Sequence, residues 1–447
     1  MKNIVIIISI FTGLMFCSCD EELNVKPENY LFEEQLITND KSAQSSLLGV
    51  YTQLNSVYIT QYTELYTGLM DGTLVTTTTG LNLQSFINSF DPSISTLKFF
   101  YRAPYTIVNS ANATLKTVTG NDKVSQTMRE RILGEAHFLR AFGHLQTLKY
   151  HAQFFDVTSQ YGIVLKDELS TFENREKKRA TVKESYDFIL DDLDKCIDSS
   201  VPFTDNFYAS TLAAKAFKAN ILLYMGGDAN YTNAIDLANE VIDDGAVELE
   251  PNFEDVFANG VNNSEVIFAR YTDNTQTSKS LFLYQTQQKA SAWLKDFMQN
   301  DPRAIHTFTA SNSKIKKVYL PSIKGGPTNF IRLAEVYLIK AECQARLNLL
   351  TEAEATLNIV RKRAYGGTPP ALIYTNKEEL LDLIFDEYVK ELCFEAGTVW
   401  TAAIRHGKVE ELKPNVTSSN QYIMPIPLLE LQTNSLFGEQ NPGYDGI

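Results

Sequence analysis

Residues 328–364 constrain the fold most, because they are written as two helices back to back. The first runs from Asn329 to about Arg346. Leu333, Tyr337, Ala341 and Ala345 recur every four residues on one face, with Ala334, Leu338 and Glu342 beside them. The second follows Thr351, which forms a capping box with Glu354, and carries Ala353, Leu357, Val360 and Ala364 at helical spacing. Gly366-Gly367 and Pro369-Pro370 stop it. Alanine on both facing sides lets the two helices approach closely, as in a helical-hairpin repeat. Residues 208–225 and 231–243 repeat the layout, with Ala213, Ala216 and Leu223 facing Ala234, Ala238 and Val241 across Gly226-Gly227-Asp228. Helices at 125–150 and 181–197, the latter opened by a Thr181–Glu184 capping box, complete a superhelical array of helix pairs.

Two stretches break this pattern. Residues 58–104 interleave Tyr58, Tyr62, Tyr66, Phe86, Phe90, Phe99, Phe100 and Tyr101 with small polar residues; periodicity is weak except around Tyr62 to Met70, which predicts short helices and long loops, and a modest helix follows from Tyr105 to about Val118. Residues 246–327 predict strands at Val266–Ala269 and Lys316–Leu320 and a short helix at Trp293–Met298, among aromatic-bearing polar loops. Aromatic side chains set in polar loops are either a satellite core or a binding surface. The connector 151–180 reads as a solvated charged loop with a β-like piece at Ile163–Leu165. Asn376 with Glu379 opens a helix over Leu380–Phe394. From Leu412 the tail is Pro-rich and extended, and Ile423, Ile426 and Leu428 make it too apolar to be left in water.

At 447 residues the chain can bury one large core or two. Its formal charge of −14 argues against nucleic acid or an anionic membrane surface as the main partner. Met1-Lys2, the apolar run Ile4–Phe16 and then Ser18-Cys19 have the form of an export signal, too short to span a bilayer comfortably. A small residue just before a cysteine resembles the bacterial lipoprotein cleavage site. Cys19 then becomes the lipidated first residue, whereas Cys17 follows the bulky Phe16. The expected division is a signal peptide at 1–18, a lipidated tether at 19–39 and a single domain over 40–447. In that domain the helical scaffold takes 40–57, 105–150, 181–245 and 328–411, the irregular regions 58–104 and 246–327, and the tail 412–447. Cys196, Cys343 and Cys393 are left after cleavage, an odd number in helical patterns, which predicts buried thiols rather than a disulfide framework.

No Gly-x-Ser-x-Gly elbow, His-Glu-x-x-His or phosphate-binding Gly-x-x-x-x-Gly-Lys loop occurs. His137, His144 and His151 are seven apart, about 10 Å of helical rise per step, too far for one zinc ion, so they read as packing or hydrogen-bonding residues. Acidic pairs such as Asp191-Asp192 and Glu378-Glu379 read as solvated. No catalytic residue, metal site or cofactor is expected, and the chain is read as a binding protein rather than an enzyme.

Four stretches together resemble one known family. They are Arg131 to Phe142, with Glu135-Ala136-His137-Phe138-Leu139-Arg140 at its centre; Arg332-Leu333-Ala334-Glu335 with Leu357 to Ala364; Glu391-Leu392-Cys393-Phe394-Glu395; and Tyr422 to Pro427 with Gln440-Asn441-Pro442-Gly443-Tyr444. In this order, and after a lipoprotein start, they resemble the SusD/RagB family of outer-membrane nutrient-binding lipoproteins of the Bacteroidetes. Asp20-Glu21-Glu22 looks like that group's surface-export signal. The pattern departs at Asp386-Glu387-Tyr388 and at Ala396 to Trp400. The resemblance implies a mostly all-α fold, a tetratricopeptide-like hairpin scaffold with an irregular loop-rich ligand side and a few short strands. It also implies capture of a glycan, or in some members a peptide, for a TonB-dependent outer-membrane β-barrel transporter.

Sugar binding needs flat apolar faces and a few placed polar groups. The irregular regions offer Asn82, Phe86, Tyr101 and Arg102 on one side and Tyr271, Tyr284 and Trp293 on the other. Trp293 shares its segment with Leu294 and Phe297, so it reads equally as the anchor of a small helix. A purely structural role, with helical hairpins presenting a concave face to another protein, is the alternative to ligand capture. Replacing Cys19 with Ala is expected to abolish acyl labelling and release the protein from membranes. Mass spectrometry of the purified protein checks this, and retained lipid would assign the anchor elsewhere.

Overall fold

The computed structural model describes residues 36–271, 279–321 and 326–444; the signal sequence, Cys19, most of the tether and Gly325 lie outside them. The elements that matter here are α1 (Asp40–Gln53), α2 (Gln61–Met70), β1 (Leu74–Thr76), α3 (Leu81–Ile87), α4 (Ser95–Val118), α5 (Gln126–His151), α6 (Val182–Asp198), α7 (Thr211–Met225) and α8 (Asp228–Asp243). They continue with β2 (Val266–Ala269), β3 (Gln288–Ala290), α9 (Ala292–Phe297), β4 (Asn329–Arg332), α10 (Leu333–Arg346), α11 (Leu350–Tyr365), α12 (Lys377–Leu392), α13 (Thr398–Arg405) and α14 (Leu428–Thr433).

Successive helices pack in series, α4 on α5, α5 on α6, α6 on α7, α7 on α8, α8 on α10 and α10 on both α11 and α12. This is the array that the alanine-faced hairpins predict. Ala213, Ala216, Ala234, Ala238, Ala341, Ala345 and Ala353 are all fully buried at its seams. Two adjoining apolar clusters fill it. One is centred on α1 and α4–α7 and the other on α2 and α10–α13, with Tyr337 and Ile404 packed against both. Cys196, Cys343 and Cys393 are buried free thiols.

Several boundaries differ from expectation, each for a local reason. Residues 329–332 are not the first turn of α10 but a strand, β4, paired antiparallel with β2. Thr351 is not an N-cap: α11 starts at Leu350 with Leu349 before it and no side-chain cap, so Thr351 lies inside the first turn. Thr181 and Asn376 do cap their helices as expected. Lys316–Leu320 forms no strand, and only Ile315 makes a bridge, to Phe308. Asp192, expected to be solvated, is buried against Arg140 and His137. The two irregular regions, read separately in the sequence, are joined by an antiparallel pair, β1 with β3.

The largest correction concerns α4. It begins at Ser95, ten residues before the expected start at Tyr105, and runs through Pro104. An internal proline removes one helical hydrogen bond and usually breaks a helix. Here α5 lies across that turn. A Cβ placed on Gly143 would come within 2.8 Å of the Pro104 carbonyl oxygen and 2.7 Å of Val108 Cγ2, so only glycine permits the approach.

At the centre lies a buried ionic network. Arg332, at the β4–α10 junction, donates to Glu265 (2.6 Å), Glu391 (2.6 Å) and Glu395 (2.9 Å). Arg363 of α11 reaches Glu265 (2.7 Å) and Glu391. Arg303 joins Asp301 (2.8 Å), Glu387 (2.6 Å) and Glu391 (2.7 Å), and Lys317 joins Glu395 (2.7 Å). Burial pushes the Glu391 carboxyl up, but Arg363, Arg332 and Arg303 more than offset it and hold it well below the ordinary value. Removing one partner of such a cluster leaves charges buried without compensation, at a cost of about 3–5 kcal/mol. Arg332→Met is therefore expected to lower the urea midpoint markedly and to raise the insoluble fraction on expression. An unchanged unfolding curve would mean that the network contributes little.

Candidate ligand cavity

Moving the start of α4 to Ser95 places Lys98, Tyr101, Arg102, Tyr105 and Asn109 on one helical stripe, at steps of three and four residues. That stripe forms one wall of a cavity of about 570 Å³. The opposite wall comes from the connector, through Val164, Lys166, Ser170 and Arg175. The tail closes it with Pro427, Leu429, Glu430, Thr433 and Asn434 on and beside α14. The lining combines the half-buried ring of Tyr105, 5.2 Å from that of the buried Tyr101, with Val164, Pro427 and Leu429 as apolar groups and with charged and amide side chains. An apolar lining with a few placed polar groups, in a volume of this order, is the usual make-up of a ligand site.

Each wall is held by hydrogen bonds. Tyr105 Oη donates to the Val164 carbonyl (2.9 Å), and Asn109 accepts from the Ser170 N–H (2.8 Å). Asn112 donates to the carbonyls of Lys166 and Glu168 (both 2.9 Å) and accepts from Arg140 (2.9 Å). Arg140 also donates to the Asp167 carbonyl (2.8 Å) and clasps both carboxylate oxygens of Asp192 at 2.8 and 2.7 Å. Helices α4, α5 and α6 thus grip the connector through one polar cluster. The tail is pinned in turn. Asn434 donates to the Lys177 carbonyl (3.0 Å), Ser435 Oγ to Glu176 (2.6 Å), and Asn441 to the carbonyls of His151 (3.0 Å) and Met424 (2.9 Å).

His144 supports the connector from behind. Its Nε2 accepts from the Lys166 N–H (3.1 Å), which requires the neutral ring, and burial lowers its pKa to about 4. Within the cavity, burial pushes the Glu430 carboxyl up, opposed by Asn434 and Lys166, and pushes the Lys166 ammonium down, opposed chiefly by Glu430.

Of the residues singled out from sequence, the structure brings together only Tyr101 and Arg102. Tyr271 lines a different cleft, of about 400 Å³, edge-on to Phe207 at 4.8 Å and near Tyr51 and Asn55. Tyr284 lies inside the core: it is fully buried, stacked on Tyr319 at 5.2 Å, with its hydroxyl bonded to Glu64. Phe86 packs on the second apolar cluster beneath the Lys413 ammonium, 4.5 Å from its ring. Asn82 is used locally, donating to Thr78 (2.7 Å). Trp293 is 36% exposed on α9, stacked on Phe297 at 5.4 Å, and lines neither cavity. Lys98, Tyr105, Asn109, Lys166, Ser170, Arg175 and the tail residues went unforeseen. The stripe on α4 was hidden by Pro104, and the connector and tail converge only in three dimensions. Among the described residues no cluster of His, Cys, Asp and Glu is arranged to hold a metal ion.

Comparison with known proteins follows the same lines. A sequence profile described as the SusD family matches residues 317–405, and one described as starch-binding, associating with outer membrane, matches 23–223. SusD-like protein P38 of Formosa agariphila is 24% identical, over 99% of each chain. The crystal structure of a SusD superfamily protein from Bacteroides thetaiotaomicron superposes with a TM-score of 0.78 at 20% identity, covering 90% of this chain and all of that one. A solved laminarin-binding SusD-like protein superposes with a TM-score of 0.75 at 19% identity, covering 91% of this chain and all of that one.

An unfolded imidazole takes its proton near 6.5, whereas folded His144 takes it near pH 4. The stability that neutral His144 supplies is complete above the first value and is lost as the pH falls through that window. Its ring resonances are expected to titrate near pH 4 by NMR; a midpoint near 6.5 would contradict the bond to Lys166.

Proposed function

The chain belongs to the SusD family, and on that premise we propose that it is a cell-surface binding lipoprotein that captures glycan without turning it over. Members of the family pair with SusC-like TonB-dependent transporters. On our reading this chain delivers its glycan to such a barrel while Cys19 anchors it to the outer membrane. The observation that carries the proposal is the cavity between α4, the connector and the tail. The half-buried Tyr105, backed by the buried Tyr101, offers an apolar surface to the C–H face of a sugar, and Arg102, Asn109, Ser170 and Asn434 line the same space as polar groups that suit hydroxyls. The laminarin-binding relative supports a glycan as the kind of ligand. The domain division, with the tether at 19–39 and one domain over 40–447, is part of this proposal.

The test is calorimetric titration of the soluble chain, cut after Cys19, with a panel of oligosaccharides and mixed peptides. Glycan binding is expected, with affinity at least tenfold lower in an Arg102→Ala, Asn109→Ala double variant and no product formed on long incubation. Binding of peptides alone would replace glycan with peptide as the cargo. Glycan binding untouched by the double variant, but lost on changing Tyr271 or Trp293, would move the site.

A further inference from the structure

The cavity is positively charged in a strongly acidic protein. The chain carries a formal charge of −14, yet the cavity walls bear Lys98, Arg102, Lys166 and Arg175 against the one carboxylate of Glu430. Two of these cations stand uncompensated. Among the described residues neither Lys98 nor Arg102 meets a carboxylate at ion-pair distance, in contrast to Lys279, Arg303, Lys317, Arg332 and Arg363 of the buried networks, each of which does. Lys98 instead places its ammonium 4.8 Å from the centre of the exposed Phe99 ring. Arg175 lies 3.5 Å from Glu176, donates to the Phe172 carbonyl (3.0 Å) and stacks its guanidinium 3.8 Å from the Phe172 ring centre. The ammonium of Lys166 donates to the Arg175 carbonyl (2.5 Å), which ties the two connector cations together. The nearby acids Asp167 and Glu168 are engaged elsewhere, by Lys177.

Like charges gathered around one concave space repel each other, and the arrangement is favoured when a ligand brings the opposite charge. Arginine matches sulfate and carboxylate oxygens with paired N–H donors, whereas lysine meets them as a point charge. We infer that the ligand of this cavity is an anionic glycan, bearing sulfate or carboxylate groups that meet Lys98, Arg102 and Arg175 while a sugar ring lies against Tyr105. This inference rests on the glycan-capture reading and narrows it to a charge class.

The soluble chain is titrated with a carrageenan hexasaccharide, with the same oligosaccharide after desulfation, with hexagalacturonate, and with inorganic sulfate. Binding of the sulfated or the uronate hexamer at least tenfold tighter than the desulfated one is expected, weakening steeply as salt rises. Which charged hexamer binds distinguishes sulfate from carboxylate as the recognised group. A Lys98→Glu, Arg102→Glu variant, both positions being on the solvent side of α4, is expected to lose at least tenfold more affinity for the charged hexamer than for the desulfated one, with an unchanged melting curve; an equal loss for both overturns the charge inference. Equal binding of charged and desulfated hexamers overturns the charge inference and leaves glycan capture standing. Failure of every hexamer to bind overturns both. Binding of inorganic sulfate as tight as that of the sulfated hexamer removes the glycan from the recognition and also overturns the inference.

Discussion

Everything in this molecule depends on the charge cluster around Arg332. Strand β2 is preceded by Glu265, β4 ends in Arg332, α11 contributes Arg363, α12 contributes Glu387 and Glu391, and the turn after α12 contributes Glu395. Arg303 and Lys317, from the irregular segment before β4, complete it. None of these side chains is accessible enough for water to substitute for a lost partner. The cluster therefore acts as a register device. The helix pairs and the irregular segment can close on one another only when each charge finds its mate, and a slipped arrangement would strand charges in the core. Apolar packing alone, with alanine on so many faces, would distinguish neighbouring registers less sharply.

A second, smaller cluster performs the equivalent task for the cavity. Arg140 on α5, Asp192 on α6 and Asn112 on α4 tie three scaffold helices to the backbone carbonyls of the connector. Rigid helices thereby fix a segment that has almost no regular structure of its own. The tail is fixed by the same logic, with Asn441 bridging the end of α5 and the strand-like run through Met424. A ligand entering the cavity meets side chains whose backbone is already in place, which limits the ordering cost of binding.

The scaffold was legible in the sequence because its rules are local. Alanine at helical spacing, capping by Thr181 and Asn376, and the glycines at 226–227 and 366 each report on a few neighbouring residues. Of the residues behind the family resemblance, Arg332, Glu391 and Glu395 turn out to be buried charges that set the register, and Arg140 the one that holds the connector, so they identify the fold rather than the ligand. The cavity was legible only at Tyr101 and Arg102. Pro104 disguised the helix that displays its stripe, and Lys166, Arg175 and Asn434 come from segments whose convergence no periodicity encodes. Tyr284 shows the converse error: an aromatic in a polar stretch was drawn inside, because Glu64 and Lys279 supplied buried partners for its hydroxyl and face.

Charge then separates scaffold from site. The network around Arg332 surrounds its cations with carboxylates, while among the described residues Lys98 and Arg102 of the cavity meet none, in a chain that is acidic as a whole. The most direct measurement of whether that cavity is where ligand binds is hydrogen exchange followed by mass spectrometry, with and without saturating anionic oligosaccharide. The account predicts slowed exchange in peptides covering 98–109, 164–175 and 427–434, with 51–55, 207–208 and the α9 segment unchanged. Slowed exchange at the Tyr271 cleft or around Trp293, with the cavity segments unaffected, would contradict it.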